Sequence, residues 1–235
     1  MKYIQYDEIG NPPDVLKVMK APQTALAAGE VRVKVLATPI HPSNLLQISG
    51  EYGVAPPLPA YPGAEGIGQV IETAPDVSGL QIGQRVMLVG VSTWREEIVA
   101  PVAAFIPLPD AGDAEQMSML TVNPLTAHLI LSSYVELEAG DWVIQSAANS
   151  AVGEYLIQIA KQRGLKSVNI VRRESLIPEL EALGADIVLT DGPDLAARVA
   201  EATGNAPIAL AIDAVGGGTF SQLVECLTFG GTIVA

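Results

Sequence analysis

The sequence predicts an α/β chain, a β-rich N-terminal domain followed by a doubly wound parallel sheet that is C-terminally incomplete. Three observations carry this expectation. Up to about residue 110, Pro and Gly cut the chain into short segments with strand-like alternation, such as Val31-Arg32-Val33-Lys34-Val35-Leu36-Ala37 and Gly68-Gln69-Val70-Ile71-Glu72. From Asp141 onward, short apolar runs alternate with amphipathic helical stretches, as expected of strands buried on both faces by their connecting helices. About five such strands fit before the chain ends, where a full sheet of this kind usually has about six.

Taken in order, Met1 to Asp7 alternates like a strand, and further strands are expected over 31–37, 68–72, 85–89 and 94–99, with turns at Pro75-Asp76 and 79–83. After Pro109, segments 113–120 and 124–135 read as helices. The second starts from Asn123 as an N-cap, with Pro124 suited to the first helical position. The sheet then reads as strands 142–146, 167–171, 187–189, 208–214 and 231–235, separated by helices 152–163, 176–183, 195–202 and 220–227. The last segment, Gly230 to Ala235, is an apolar strand with nothing after it to cover a sheet edge, so a fragment or split gene product is expected.

Composition narrows the function classes. A chain of 235 residues with 49% hydrophobic content can bury a core in each of two domains, 1–118 and 119–235. With 26 acidic against 13 basic residues, the net charge of -13 argues against nucleic acid or an anionic membrane as partner, and a polyanionic ligand needs a local basic pocket. No apolar run approaches the ~20 residues of a spanning helix, and the start does not read as a signal or transit peptide, so a cytoplasmic location is expected. The single Cys226 permits no intrachain disulfide, and with only His41 and His128 beside it no metal site is expected. Cys226 reads as a small buried thiol, and His128 as packed on the apolar face of its helix.

Three segments carry chemistry. Ser146-Ala147-Ala148-Asn149-Ser150-Ala151-Val152-Gly153 falls where a strand turns into a helix, and a helix start near Val152 offers free N–H groups and a positive dipole end to a pyrophosphate. Only Gly153 remains of a G-x-G-x-x-G pattern, and a plain strand-to-helix turn has similar residues. After the second strand stands Arg172-Arg173-Glu174, where a protein that binds NAD usually places an acid on the ribose 2′-hydroxyl; two guanidiniums favour a 2′-phosphate, hence NADPH, over the alternative of a solvated turn. Asp213-Ala214-Val215-Gly216-Gly217 at the fourth strand's carboxyl end is either a close approach to a cofactor or the turn that starts the next helix.

These segments together resemble the medium-chain dehydrogenase/reductase superfamily. The N-terminal half agrees: His41-Pro42-Ser43-Asn44 resembles the family's N-P-S-D segment, Pro62-Gly63-Ala64-Glu65-Gly66 its G-x-E-G stretch, and the run Gly79 to Val86 its G-L-x-x-G-D-x-V turn. The resemblance implies a GroES-like substrate domain followed by a Rossmann-type domain. Zinc-dependent members carry Cys and His where this chain has Ser43 and Ala64, which implies a zinc-free branch. Within it, Ser49-Gly50-Glu51-Tyr52-Gly53, Thr93-Trp94-Arg95-Glu96-Glu97, Val122-Asn123-Pro124-Leu125-Thr126-Ala127 and Asn149 to Gly153 are most similar to mitochondrial-type trans-2-enoyl thioester reductases. That likeness implies NADPH-dependent reduction of the 2,3 double bond of enoyl-CoA or acyl-carrier-protein thioesters in fatty-acid metabolism. It implies Tyr52 as the catalytic tyrosine, and Asn123, Asn149, Ser150, Ala151 and Val152 as cofactor contacts. Arg172, Arg173 and Glu174 would meet the adenosine phosphate, and homodimers form by joining sheet edges. A phenol, protonated at neutral pH, can hydrogen-bond a developing enolate or deliver a proton to it. Two other readings stay open: a quinone or alkenal reductase of the same superfamily, and a truncated protein or assembly subunit that binds the cofactor without activity.

Overall fold

The alternating segments of the N-terminal half become an antiparallel sheet in the computed structural model, which describes residues 1–235 and divides into two units, 1–122 and 123–235. In the first unit the elements are β1 (Lys2–Gln5), α1 (Pro12–Val15), β2 (Lys17–Lys20), β3 (Glu30–Ala37), α2 (Pro42–Ser49), β4 (Gly66–Thr73), β5 (Arg85–Leu88), β6 (Glu97–Pro101), β7 (Phe105–Pro107) and α3 (Ala114–Met117). Strands β6-β3-β4-β5-β7 form one five-stranded sheet, and β1 pairs with β2 in a separate ribbon. Alternate residues Val31, Val33, Val70, Val86, Leu88 and Ile98 point inward and make the core, as the period of two requires.

Two expectations here need correction, and one helix was not expected. The strand expected over 94–99 begins only at Glu97, because the chain turns at Thr93–Arg95, where the Trp94 amide donates to the Pro62 carbonyl and its indole N–H to the Pro39 carbonyl. The helix expected over 113–120 shortens to one turn, capped by the Asp113 carboxylate accepting from the Gln116 amide. Helix α2, unannounced by the alternation, starts with Pro42 in its first turn after His41, whose amide donates to Asn44 Oδ1 at 3.0 Å.

Glu65 organises the unit. Its carboxylate is fully buried; Oε1 lies 2.6 Å from His41 Nε2, and Oε2 accepts from the Thr121 and Val122 amides at 2.8 Å each. Its carbonyl accepts from the Thr38 and Thr93 hydroxyls. One carboxylate thus ties the start of α2 to the last residues of the unit, an arrangement that compensates the cost of burying its charge only while all donors are present.

The second unit contains α4 (Asn123–Ser133), β8 (Trp142–Gln145), α5 (Ala151–Gln162), β9 (Lys166–Val171), α6 (Ile177–Leu183), β10 (Ile187–Thr190), α7 (Leu195–Thr203), β11 (Ile208–Ile212), α8 (Gly217–Cys226) and β12 (Thr232–Val234). All five strands are parallel in the order β10-β9-β8-β11-β12, so the connections run outward in both directions from β8 and leave a switch point between β8 and β11. Leu131, Leu156 and Ala160 of α4 and α5 cover one face with Val143 and Leu210; Leu195, Val199 and Leu223 of α7 and α8 cover the other with Ile144, Val168 and Ile170. Two details differ from expectation. Asn123 is the first residue of α4 rather than its cap, and His128 is exposed, because Ala127 and Leu131 define the buried stripe and His128 lies about 100° off it.

Replacing Glu65 by Leu leaves two backbone N–H groups and an imidazole facing an apolar side chain, and is expected to cost about 2–5 kcal/mol in urea unfolding. A loss below about 0.5 kcal/mol would remove Glu65 from this role.

Candidate functional site

The site is built at the carboxyl ends of β8, β9 and β11. After β8 the chain turns through Ala147, a non-glycine residue at φ 46°, and enters α5 with Ser150 as N-cap, one residue earlier than the sequence pattern implied. The Ser150 hydroxyl accepts from the Gly153 amide at 3.2 Å, and its carbonyl accepts from the Glu154 amide at 2.9 Å. The Ala151 and Val152 amides are then the unengaged donors of the first turn, at the positive end of the helix dipole. Gly153 sits so close to the turn that an added Cβ would lie 2.5 Å from the Ala148 carbonyl oxygen. This is the close helix–strand packing that a phosphate-binding turn needs.

The opposing wall comes from the end of β11. Asp213, almost buried, accepts from the Ser146 hydroxyl at 2.7 Å and from the Val215 and Gly216 amides at 3.1 and 2.8 Å; the Ala214 amide in turn donates to Ser146 Oγ at 2.9 Å. The carboxylate has no cation beside it and is held by dipoles alone. It stops β11 at Ile212, short of the expected 214, and fixes the following loop. Gly217 opens α8, so the Gly run is the turn that starts the next helix, while Ala214 and Val215 before it line the cleft.

Between these walls lies a cleft of about 430 Å³, lined among others by Ser146, Asn149, Ser150, Arg172, Asp191 and Thr219. The structure therefore brings together Asn149, Ser150 and Arg172 of the expected cofactor residues. Ala151 and Val152 contribute backbone at the helix start without lining the cleft, and Arg173 and Glu174 are exposed in the following turn. Neither arginine is in an ion pair with a carboxylate. Asp191, which the sequence reading did not single out, stands at the end of β10, accepts from the Thr219 hydroxyl at 3.3 Å and shares the cleft rim with Arg172. Asn123 does not line this cleft; it is buried, and its side-chain Nδ2 has no hydrogen-bond partner, an unmet donor of the kind a bound group satisfies. Free first-turn amides, a cradle that excludes a Cβ and an unpaired guanidinium together fit a dinucleotide with an extra phosphate.

Tyr52 lies in the first unit. Gly50 ends α2 in a left-handed conformation at φ 81°, where a Cβ would also meet Ile9 Cγ2 at 2.6 Å. The Glu51 and Tyr52 amides both donate to the Leu46 carbonyl, so the loop is pinned to the helix while the Tyr52 ring stays about half exposed. No group of three or more His, Cys, Asp or Glu side chains is placed to hold a metal ion. Cys226 is half-buried, with Sγ 3.2 Å from the Gln222 carbonyl; burial, aided by Glu225, pushes its thiol up to about 11.

Two outcomes follow. Gly153→Ala should cost about 1–3 kcal/mol in thermal or urea unfolding, since backbone rather than a flexible side chain must yield; wild-type stability would contradict the close approach. Cys226, a thiol rather than a thiolate at neutral pH, should react with iodoacetamide at pH 8 more than about tenfold slower than free cysteine, and reaction at the free-cysteine rate would show an unburied, ordinary thiol.

Comparison with known proteins places this geometry. Residues 27–110 match the alcohol dehydrogenase GroES-like domain family and residues 151–235 the zinc-binding dehydrogenase family. The mitochondrial enoyl-[acyl-carrier-protein] reductase of Rattus norvegicus is 39% identical over 241 residues, covering 100% of this chain and 65% of the relative. The Caenorhabditis elegans enzyme of the same name is 36% identical, covering 99% and 69%. Among solved structures, a putative NADPH:quinone reductase from Bacillus thuringiensis superposes with TM-score 0.89 at 32% identity, covering 99% of this chain and 71% of that one. The complex of Etr1p with NADP and crotonyl-CoA does so with TM-score 0.88 at 30% identity, covering 99% and 73%. The chain thus spans about two thirds of the length of these relatives.

The expected cytoplasmic location is overturned by these names, since the curated relatives are called mitochondrial. The features used for that expectation, the lack of a long apolar run and a strand-like start at Met1 to Asp7, describe a folded domain and carry no address. Helix-and-strand order, the phosphate-type turn and full-chain similarity agree, and the chain belongs to the medium-chain dehydrogenase/reductase superfamily, among relatives of the mitochondrial enoyl-[acyl-carrier-protein] reductases.

Proposed function

We propose that the second unit binds NADPH and that the protein reduces the 2,3 double bond of trans-2-enoyl thioesters of CoA or acyl carrier protein, in fatty-acid metabolism. The observation that carries the cofactor reading is the cleft at the switch point, with the amino end of α5 on one side and the unpaired Arg172 on its rim. Support for the substrate comes from the names of the relatives, enoyl-[acyl-carrier-protein] reductases, and from the likeness to the Etr1p complex with NADP and crotonyl-CoA.

In this reading the Ala151 and Val152 amides and Ser150 hold the pyrophosphate, Asn149 lines its approach, and Arg172, with Arg173 in the same turn, meets the 2′-phosphate through charge-assisted hydrogen bonds. Glu174 bounds that turn, and Asn123 offers its unmet Nδ2 donor to the bound group. When bound, NADPH supplies hydride for the β-carbon of the substrate. Tyr52 supplies a donor to the thioester oxygen as charge develops there, or the proton that completes the α-carbon, and no covalent nucleophile is required. The donor set argues for zinc-free chemistry, since Ser43 and Ala64 stand where zinc-dependent members carry ligands. A homodimer is the proposed assembly; the related Etr1p forms a heterodimer with Etr2p in Candida tropicalis.

The second reading, a quinone or alkenal reductase, is favoured by the likeness to the Bacillus thuringiensis protein. Asn149-Ser150-Ala151 departs from the Gly-rich turn of that branch. Crotonyl-CoA and a free enone, each offered with NADPH while absorbance at 340 nm is followed, separate the two: faster turnover of the thioester is expected, and turnover of the enone alone would reverse the order. Arg172→Glu should weaken NADPH at least about tenfold more than NADH, and equal losses would sink the phosphate assignment. Tyr52→Phe should lower kcat about a hundredfold with NADPH affinity unchanged; an unaltered kcat removes Tyr52 from the chemistry.

A further inference from the structure

The parallel sheet contains a polar interruption that the cleft itself does not use. Gln145 ends β8 and Asn169 lies mid-β9, both essentially buried on the face covered by α5, the face on which the apolar Val143 also lies. Gln145 Nε2 donates to the Gly153 carbonyl at 3.0 Å and to Asn169 Oδ1 at 2.7 Å; Asn169 Nδ2 donates to Ser167 Oγ at 2.9 Å and to the Ile187 carbonyl at 3.1 Å. The two backbone carbonyls can only accept, so both side-chain amides have one allowed orientation and the bonds all run in one sense. Buried polar chains of this kind cost stability unless fully satisfied, and an apolar pair would pack the same space.

Their end point gives a reason for them. Gly153 is the residue of α5 that touches the turn backbone, and it is held at three places: its amide by Ser150 Oγ, its Cα side by Ala148, and its carbonyl by Gln145. We propose that Gln145 is a positioning residue for dinucleotide binding, fixing through the Gly153 carbonyl where the free amides of Ala151 and Val152 sit, with Asn169 holding Gln145 in that orientation. This rests on the reading that those amides take the pyrophosphate. Because the pyrophosphate is common to NADPH and NADH, the effect is blind to the 2′-phosphate, unlike that of Arg172.

The test uses the 235-residue chain with Gln145→Met, which keeps volume, Gln145→Glu, which turns oxygens toward the Gly153 carbonyl, and Asn169→Leu. Dissociation constants for NADPH and NADH are measured by fluorescence titration, and amide exchange of 151–157 is measured without ligand. Expected are an approximately tenfold weakening of both cofactors by Gln145→Met, a larger one by Gln145→Glu, and little added by Asn169→Leu on top of Gln145→Met. Exchange at the start of α5 should rise while that of α7 stays unchanged. Cofactor constants within twofold of wild type, even with a lowered Tm, would overturn the proposal and leave the pair as core packing. Should wild type bind neither cofactor, the functional reading fails, and the exchange arm decides the positioning: a local rise at α5 supports it, and none overturns it.

Discussion

Gly153 has no side chain because the carbonyl of Ala148 occupies that space, and much of the second unit is arranged around this contact. Bringing the first turn of α5 onto the backbone of the preceding turn fixes where the helix's unbonded first-turn amides sit, next to the cleft-lining Asn149 and Ser150. It also sets the height of α5 over the sheet, so that Leu156 and Ala160 reach Val143 and Leu210. Packing and ligand geometry therefore share one constraint. The turn meets it with Ala147 in a left-handed conformation and Ser150 as cap, devices that do without the first two glycines of the usual fingerprint.

Buried carboxyl groups recur as organisers. Asp213 joins the ends of β8 and β11 through Ser146 and two loop amides, and Glu65 does comparable work in the first unit with His41 and two amides. In both cases a carboxylate is stabilised chiefly by hydrogen-bond donors fixed in the fold, so its loss exposes unmet donors as well as removing a charge. An acidic chain with net charge of -13 can in this way bind a polyanion: the acids near the cleft are engaged, and Arg172 is left free on its rim.

Much of the second unit was legible because its periodicities are local. Strands such as Val168-Asn169-Ile170 and helices such as 152–163 were readable to within a few residues, and the cleft residues Asn149, Ser150 and Arg172 follow from where strands end. What escaped depends on partners far away in sequence. Glu65 meets groups 24 and 56 residues distant, and Ser146 meets Asp213 across 67 residues, separations that spacing does not encode. Asp191 and Gln145 left only a faint signal, a polar residue at the end of an apolar strand. The placement of His128 failed on phase, since a helix of mostly apolar residues gives little angular contrast.

The central claim is that this cleft is built for a dinucleotide carrying a 2′-phosphate. The most direct measurement is calorimetric titration of the 235-residue chain with NADP+ and NAD+ at several salt concentrations. The account predicts tighter binding of NADP+, with a preference that shrinks as salt screens Arg172. Equal affinity for the two, or a preference for NAD+, would contradict it.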